Sequence, residues 1–384
     1  MNRKVLWAAN TYWDSPFQVG ANHLARQLAQ RGWDVAFLSD PVSPLHLLGR
    51  PGPTTWGRLR DWAKGGGADL GGDLWHYSPL TLFPPQNRAI LRSSWVLDHW
   101  GDWTFPNLPA KLRRRGFDEV DLLVVDTVPQ HVWTKVVSAK KVVFRMTDRF
   151  SQFQKSTPAM QAKEGELARR ADLTVFTARD LEPDVKALGP NQTLFLPNGV
   201  DYASFQGEFA EPADLEAVPH PRVIYVGALE EWFNATWLAA AARRSPKAHF
   251  VVIGPPGPAT APLQGLPNVH LMGVRPHGLL PAYLRHSDCG IIPFDVEGHG
   301  GLLHGVNPMK LYEYLAAGLP VVASAWRELE RVKSPARLCR TEAQFVQGVR
   351  DALARPTPAA KARAFAKKHD WRRRADLFLK TLGF

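Results

Sequence analysis

The sequence predicts an α/β protein of two consecutive Rossmann-like domains, each a doubly wound parallel sheet, facing a cleft. Three observations lead there. Short β-rich runs alternate with longer helical patterns along the chain. The 384 residues exceed what one hydrophobic core usually supports. A stretch at 206–221, acidic, proline-containing and without periodicity, separates two such alternating sets. The composition, 45% hydrophobic and 22% charged with no low-complexity tract, is that of a folded chain.

In the first set, the apolar runs Lys4–Ala9, Asp34–Ser39, Asp121–Asp126, Lys141–Thr147, Leu173–Thr177 and Thr193–Leu196 read as strands. Asn22–Arg31 reads as a helix, with Leu24 and Leu28 one turn apart and Gly32 as its stop. Residues 49–117 differ: they carry Gly/Pro clusters, six tryptophans, and ten Lys/Arg against five Asp/Glu. They read as an elaborated surface region of the first domain, 1–205. After the linker, 206–221, the second domain is expected over 222–365. Its strands are Arg222–Val226, Ala248–Ile253, Val269–Met272, Gly290–Phe294 and Pro320–Ala323, and its helices Ala235–Arg244, His277–His286 and Pro308–Ala317. A terminal segment, 366–384, holds Trp371, Ala375, Leu379 and Leu382 on one helical face, so it docks on something.

Composition narrows the function. Cys289 and Cys339 have no partners at metal-ligand spacing and form no disulfide framework, which fits a reducing compartment. The first residues make a poor signal peptide, and no apolar run is long enough to span a bilayer. A cytoplasmic location is expected, peripheral on the inner face of the cytoplasmic membrane if the chain docks on lipid. The formal charge of +11 suits an anionic partner.

Val306-Asn-Pro-Met-Lys-Leu-Tyr-Glu-Tyr-Leu-Ala-Ala-Gly-Leu-Pro320 is the most informative segment. Pro308 fits the first turn of a helix, and Gly318 with Pro320 ends it. A helix N-terminus offers unpaired N–H groups and a positive dipole end to a diphosphate. Lys310 adds a charge there, and Glu313, one turn on, could hold two ribose hydroxyls. A solvent-facing amphipathic helix would show the same spacing.

This run, with Asn307, Lys310 and Glu313, resembles the nucleotide-sugar segment of glycosyltransferase family 4-like enzymes, which have the GT-B fold. Other pieces match in order: Tyr225-Val-Gly-Ala-Leu-Glu-Glu-Trp-Phe233, Phe250-Val-Val-Ile-Gly-Pro255, Leu266-Pro-Asn-Val-His-Leu-Met-Gly273, Leu280-Pro-Ala-Tyr-Leu284 and Gly290-Ile-Ile-Pro-Phe294. Leu196-Pro-Asn-Gly-Val-Asp201 resembles the end of the family's N-terminal domain. The resemblance covers nearly all of 222–324 and is thinner before 140. It implies that Lys310 binds the diphosphate and Glu313 the ribose. Gly227 would let the backbone approach the phosphates, and the main chain at Val274 and Arg275 would read the base. Gly305 stands where many members place a sugar-contacting Glu, and Gly227-Ala-Leu-Glu-Glu231 lacks the usual cation. In both respects the chain is closer to the xanthan-type glucuronosyltransferase, an inverting, membrane-associated enzyme.

The strand Val142–Thr147 runs into Asp148, at the carboxyl end where ligands of such sheets bind. An inverting transferase needs a base to take the acceptor's proton, and the xanthan-type enzyme's segment also ends in an aspartate with that role, so Asp148 is the expected base. An Asp capping the next turn is the alternative. Asp14, Gln18, Gly20 and His23, after the first strand, are further candidates. Gly298-His-Gly-Gly-Leu-Leu-His304, ending in His304, is the expected sugar-choosing loop. No Asp-x-Asp follows a strand, and the thirteen histidines show no zinc spacing, so metal-independent transfer with no cofactor is expected.

The tryptophans and basic residues of 49–117 would suit a membrane interface and a lipid-linked or glycan acceptor. A solvated basic face over core tryptophans is the plainer reading. No nucleic-acid-binding module is seen, so that partner is not expected. The leading reading is a transferase taking a sugar from a nucleotide-sugar, UDP-linked by frequency. A sugar-nucleotide epimerase of the same fold and a non-catalytic glycan- or membrane-binding protein are the alternatives.

Overall fold

The computed structural model describes residues 2–47, 52–153 and 156–384. Residues 49–51 of the Trp-rich region lie outside the described residues. The chain divides into two compact units, one of Met1–Pro197 with Ala375–Phe384, the other of Asn198–Arg374.

The first unit carries β1 (Lys4–Ala8), β2 (Asp34–Leu38), β3 (Gly67–Asp69), β4 (Leu74–Tyr77), β5 (Leu80–Thr81), β6 (Thr104–Phe105), β7 (Glu119–Val125), β8 (Ser138–Met146), β9 (Leu173–Phe176) and β10 (Thr193–Phe195). Eight of them form one sheet in the order β10-β9-β8-β7-β1-β2-β4-β3. Only β3 runs antiparallel within it. Val5–Ala8 and Leu122–Val125 are buried without alternation, as expected of central parallel strands covered on both faces. The chain leaves β1 toward β2 on one side and returns through β7 on the other, so the β1/β7 junction is the topological switch of this sheet.

The region read as a surface elaboration is more deeply built in than expected. It adds β3 and β4 to the main sheet, and Trp75 stacks on Tyr77 at 5.5 Å. Trp100 is fully buried against Trp133, its indole N–H donating to the Pro129 carbonyl at 2.7 Å. Trp56 and Trp95 are exposed. The region therefore combines core and surface, and its four-residue strand Leu74–Tyr77 was too short to stand out from the Gly-rich flank.

The second unit holds β11 (Arg222–Val226), β12 (His249–Ile253), β13 (Val269–Gly273), β14 (Cys289–Ile292), β15 (Val321–Ser324) and β16 (Arg337–Cys339). They form one parallel sheet, ordered β13-β12-β11-β14-β15-β16. This is the 3-2-1-4-5-6 order of the Rossmann fold, with its switch point between β11 and β14.

Residues 206–221 are not a free linker. Ala213–Glu216 forms a helical turn, and Leu215 and Val218 are buried in the core of the second unit. The acidic residues have partners elsewhere in the second unit: Glu211 pairs with Arg222, and Asp214 accepts from Arg275 and Tyr283. Composition alone cannot show such pairings. The break between units falls instead after Pro197.

The last helix, Trp371–Leu382, starts in the second unit and continues into residues assigned to the first. There Phe378 meets Trp7 at 6.3 Å, Asp376 pairs with Arg31 at 2.5 Å, and Phe384 packs edge-on to Trp33.

Candidate active site

The carboxyl edge of the second sheet gathers most of the expected nucleotide residues. Gly227 directly follows β11, at φ +147°, and a β-carbon on it would lie 2.9 Å from Lys310 Nζ. That positive φ favours glycine. Gly254, after β12, is constrained by close backbone instead: a β-carbon there would come 2.1 Å from the Gly227 carbonyl oxygen. Two phenols hold this loop. The Tyr314 hydroxyl accepts from the Val226 N–H at 2.7 Å, and Tyr225 donates to the Ala228 carbonyl at 2.7 Å.

Helix Met309–Ala317 begins one residue later than expected, with Pro308 as its cap at φ −80°, ψ 120°. Lys310 stays in its first turn. The ammonium sits 4.8 Å from the Phe294 ring centroid and 5.1 Å from that of Tyr225, a cation–π seat at the switch point. Burial there lowers its pKa to about 8, and the carboxylate of Glu313 partly opposes the fall. Glu313 is 8% exposed, and its Oε1 lies 3.0 Å from His277 Nε2. His277 was not singled out by the sequence, since the pair is separated by 36 positions. Its only signal was a histidine directly after the β13 turn.

Asn307 is in the segment, but its side chain serves the scaffold. It donates to Glu328 at 3.2 Å and accepts from the Tyr312 hydroxyl at 3.0 Å, while its carbonyl accepts from Asn198 at 2.8 Å. Val274 and Arg275 follow β13. The Arg275 guanidinium turns to Asp214 at 2.5 Å, to the Tyr283 hydroxyl at 2.9 Å and to the Val274 carbonyl at 3.0 Å, so it is an anchor for this segment. The expected sugar loop is the helix Val296–Leu303, kinked at His299 and capped by Asp295 accepting from the Gly298 N–H. His304 closes it, its Nδ1 3.4 Å from the Arg327 nitrogen. Glycines hid this helix from a propensity reading.

In the first unit, Asp148 lies just past β8, half-buried. The Thr147 hydroxyl donates to its Oδ2 at 2.9 Å, and the Thr147 carbonyl accepts from Thr177 at 2.8 Å. Next to it, Arg149 is clamped by Asp184 at 2.8 Å and by the Asp180 carbonyl at 3.2 Å. The turn carrying Asp148 is thus fixed on both sides. Asp126, at the end of β7, is fully buried between the Trp7 indole N–H at 3.0 Å and Arg145 at 3.4 Å, and burial raises its pKa. Asp14 is exposed and accepts from Tyr12 at 3.1 Å. Gly20 opens helix Gly20–Ala29, and His23 is buried in its first turn. Gln18 donates to the Trp13 and Ser15 carbonyls and accepts from Arg26 at 2.9 Å, which closes the loop on itself.

Comparison with known proteins agrees with both halves. Residues 7–177 match the family model for the N-terminal domain of the glucuronosyltransferase GumK, and residues 220–355 match glycosyl transferases group 1. Each match falls within one structural unit. The chain belongs to the GT-B glycosyltransferases.

This GT-B chain is 23% identical over 242 residues to TuaH of Bacillus subtilis, a putative teichuronic acid biosynthesis glycosyltransferase. That match takes in 61% of the chain and spans 57% of the relative's length. Among solved structures it is similar to a sucrose-phosphate synthase from Thermosynechococcus elongatus, with a TM-score of 0.71 at 15% identity, covering 99% of this chain and 98% of that one. It is also similar to Anabaena HepE in complex with UDP and glucose, with a TM-score of 0.68 at 15% identity over the whole of both chains. No helix among the described residues of this GT-B chain is long and apolar enough to cross a membrane.

Proposed function

We propose that this chain transfers a glycosyl group from a UDP-sugar to a glycan or lipid-linked acceptor, with inversion. The observation that carries the reading is the grouping of Gly227, Lys310 and Glu313 at the β11/β14 switch. The β11 loop leaves backbone room for a diphosphate, Lys310 and the helix N-terminus supply positive charge, and Glu313 accepts from the ribose. The main chain near Val274 would read the base. The UDP and glucose bound by HepE support this choice of donor.

In the proposed reaction the acceptor hydroxyl gives its proton to the Asp148 carboxylate as its oxygen bonds to the anomeric carbon. The bond from that carbon to the diphosphate oxygen breaks, and its electron pair leaves with the nucleoside diphosphate. Lys310 and the helix start take the role a divalent cation plays elsewhere, so transfer is proposed to be metal-independent. The clamp around Thr147 and Arg149 supports a fixed base.

Asp148→Asn tests the assignment. With a panel of UDP-sugars and a lipid extract as acceptor, the variant is expected to bind donor as the parent does and to lose transfer by about 100-fold or more. Transfer at the parent rate would refute Asp148 as the base.

A further inference from the structure

We propose that His277 is a positioning residue that ties the base-reading segment to the ribose carboxylate. The proposal rests on the reading that Lys310 and Glu313 hold a nucleoside diphosphate. His277 opens the turn His277–Leu279 just beyond β13, whereas Glu313 belongs to helix Met309–Ala317. Their 3.0 Å contact joins two separate walls of the site. The side chains are 23% and 11% exposed, so the contact is largely withdrawn from water, where a hydrogen bond to a carboxylate is strong. With Nε2 facing a carboxylate oxygen, the ring nitrogen donates and the carboxylate accepts.

The ammonium of Lys310 sits between the Tyr225 and Phe294 rings, while the Glu313 carboxylate meets His277. The contact has a mechanical purpose, because residues 274–277 are pinned at both ends. Arg275 fastens one end to Asp214, Tyr283 and the Val274 carbonyl, and His277 fastens the other to Glu313. Pro276, at φ −56°, stiffens the link between them. Base and ribose contacts are thus set by one braced segment before any ligand arrives, which lowers the ordering cost of binding.

The test is calorimetric titration of UDP, 2′-deoxy-UDP and pyrophosphate into the parent chain, His277→Ala, His277→Gln and Glu313→Gln. The parent is expected to prefer UDP over 2′-deoxy-UDP by about tenfold, the worth of one charge-assisted hydrogen bond. His277→Ala should bring that ratio close to one while leaving pyrophosphate affinity unchanged, and Glu313→Gln should bring the ratio close to one as well. His277→Gln, which restores an N–H donor, should recover most of the preference. An unchanged ratio in His277→Ala overturns the proposal, as does a parallel loss of pyrophosphate affinity, which would mark general damage to the site. If the parent binds neither UDP nor pyrophosphate, the nucleotide reading itself fails and this inference with it.

Discussion

Glu164 is a buried carboxyl of the first unit. It lies on helix Pro158–Arg170, 8% exposed, with no hydrogen-bond partner for Oε1. Burial, with Asp184 nearby, raises its pKa from 4.5 to about 7. Between those values the unfolded chain releases a proton that the folded chain keeps. Folded stability therefore falls as pH rises through this window, and the loss is complete above about 7. Glu164→Gln removes the titration. Its melting temperature should match the parent's at pH 5 and exceed it at pH 8, by about 2 kcal/mol of stability. A difference that does not change with pH would count against this account. Lys310 is the opposite case, a cation whose charge is discouraged by burial. An arriving diphosphate restores the reason to be charged, so the seat favours an anionic ligand.

At the scale of elements, the segment around helix Ser94–His99 departs most from an ordinary surface. Trp95 packs on Trp103 at 4.8 Å, and Phe83 meets Trp103 at 5.5 Å, yet Trp95 and Phe83 remain 61% and 47% exposed. Leu82, Ile90 and Phe105 are exposed nearby in sequence, as are Arg88 and Arg92. An apolar group with flanking cations suits an anionic lipid surface. The expected outcome is sedimentation with phosphatidylglycerol vesicles, reduced at least about fivefold by Phe83→Ser with Trp95→Ser, at about 1 kcal/mol or more. Equal sedimentation of the variant would refute lipid contact through these residues. The same scale shows what the sequence made readable. β11 and helix Ala235–Arg244 were legible to the residue, because a buried parallel strand is one apolar run and Asn234 is a side-chain cap. β4 and β16 were not, being three or four residues long. The 206–221 stretch misled because its order comes from ion pairs with distant residues. Within the site, the helix shared by Lys310 and Glu313 was readable from the sequence and their roles only from the family resemblance, whereas the His277 contact depends on the fold bringing two elements together.

At the scale of the whole chain, each unit has its own parallel or mainly parallel sheet with a switch point, and each matches a glycosyltransferase family model. The second unit carries the proposed nucleotide grouping and the first the proposed base, so donor binding and transfer should be separable by mutation. The net charge of +11 is consistent with anionic ligands for both. The central claim is the diphosphate role of Lys310, and calorimetric titration of UDP into the parent and Lys310→Ala from pH 7 to pH 10 tests it most directly. With a free pKa of about 8, the parent should bind more weakly as pH rises past that value, approaching a tenfold loss per pH unit. Lys310→Ala should bind at least about tenfold more weakly at pH 7 and show little of this pH dependence. A Lys310→Ala chain that binds UDP as tightly as the parent at pH 7 would contradict the account.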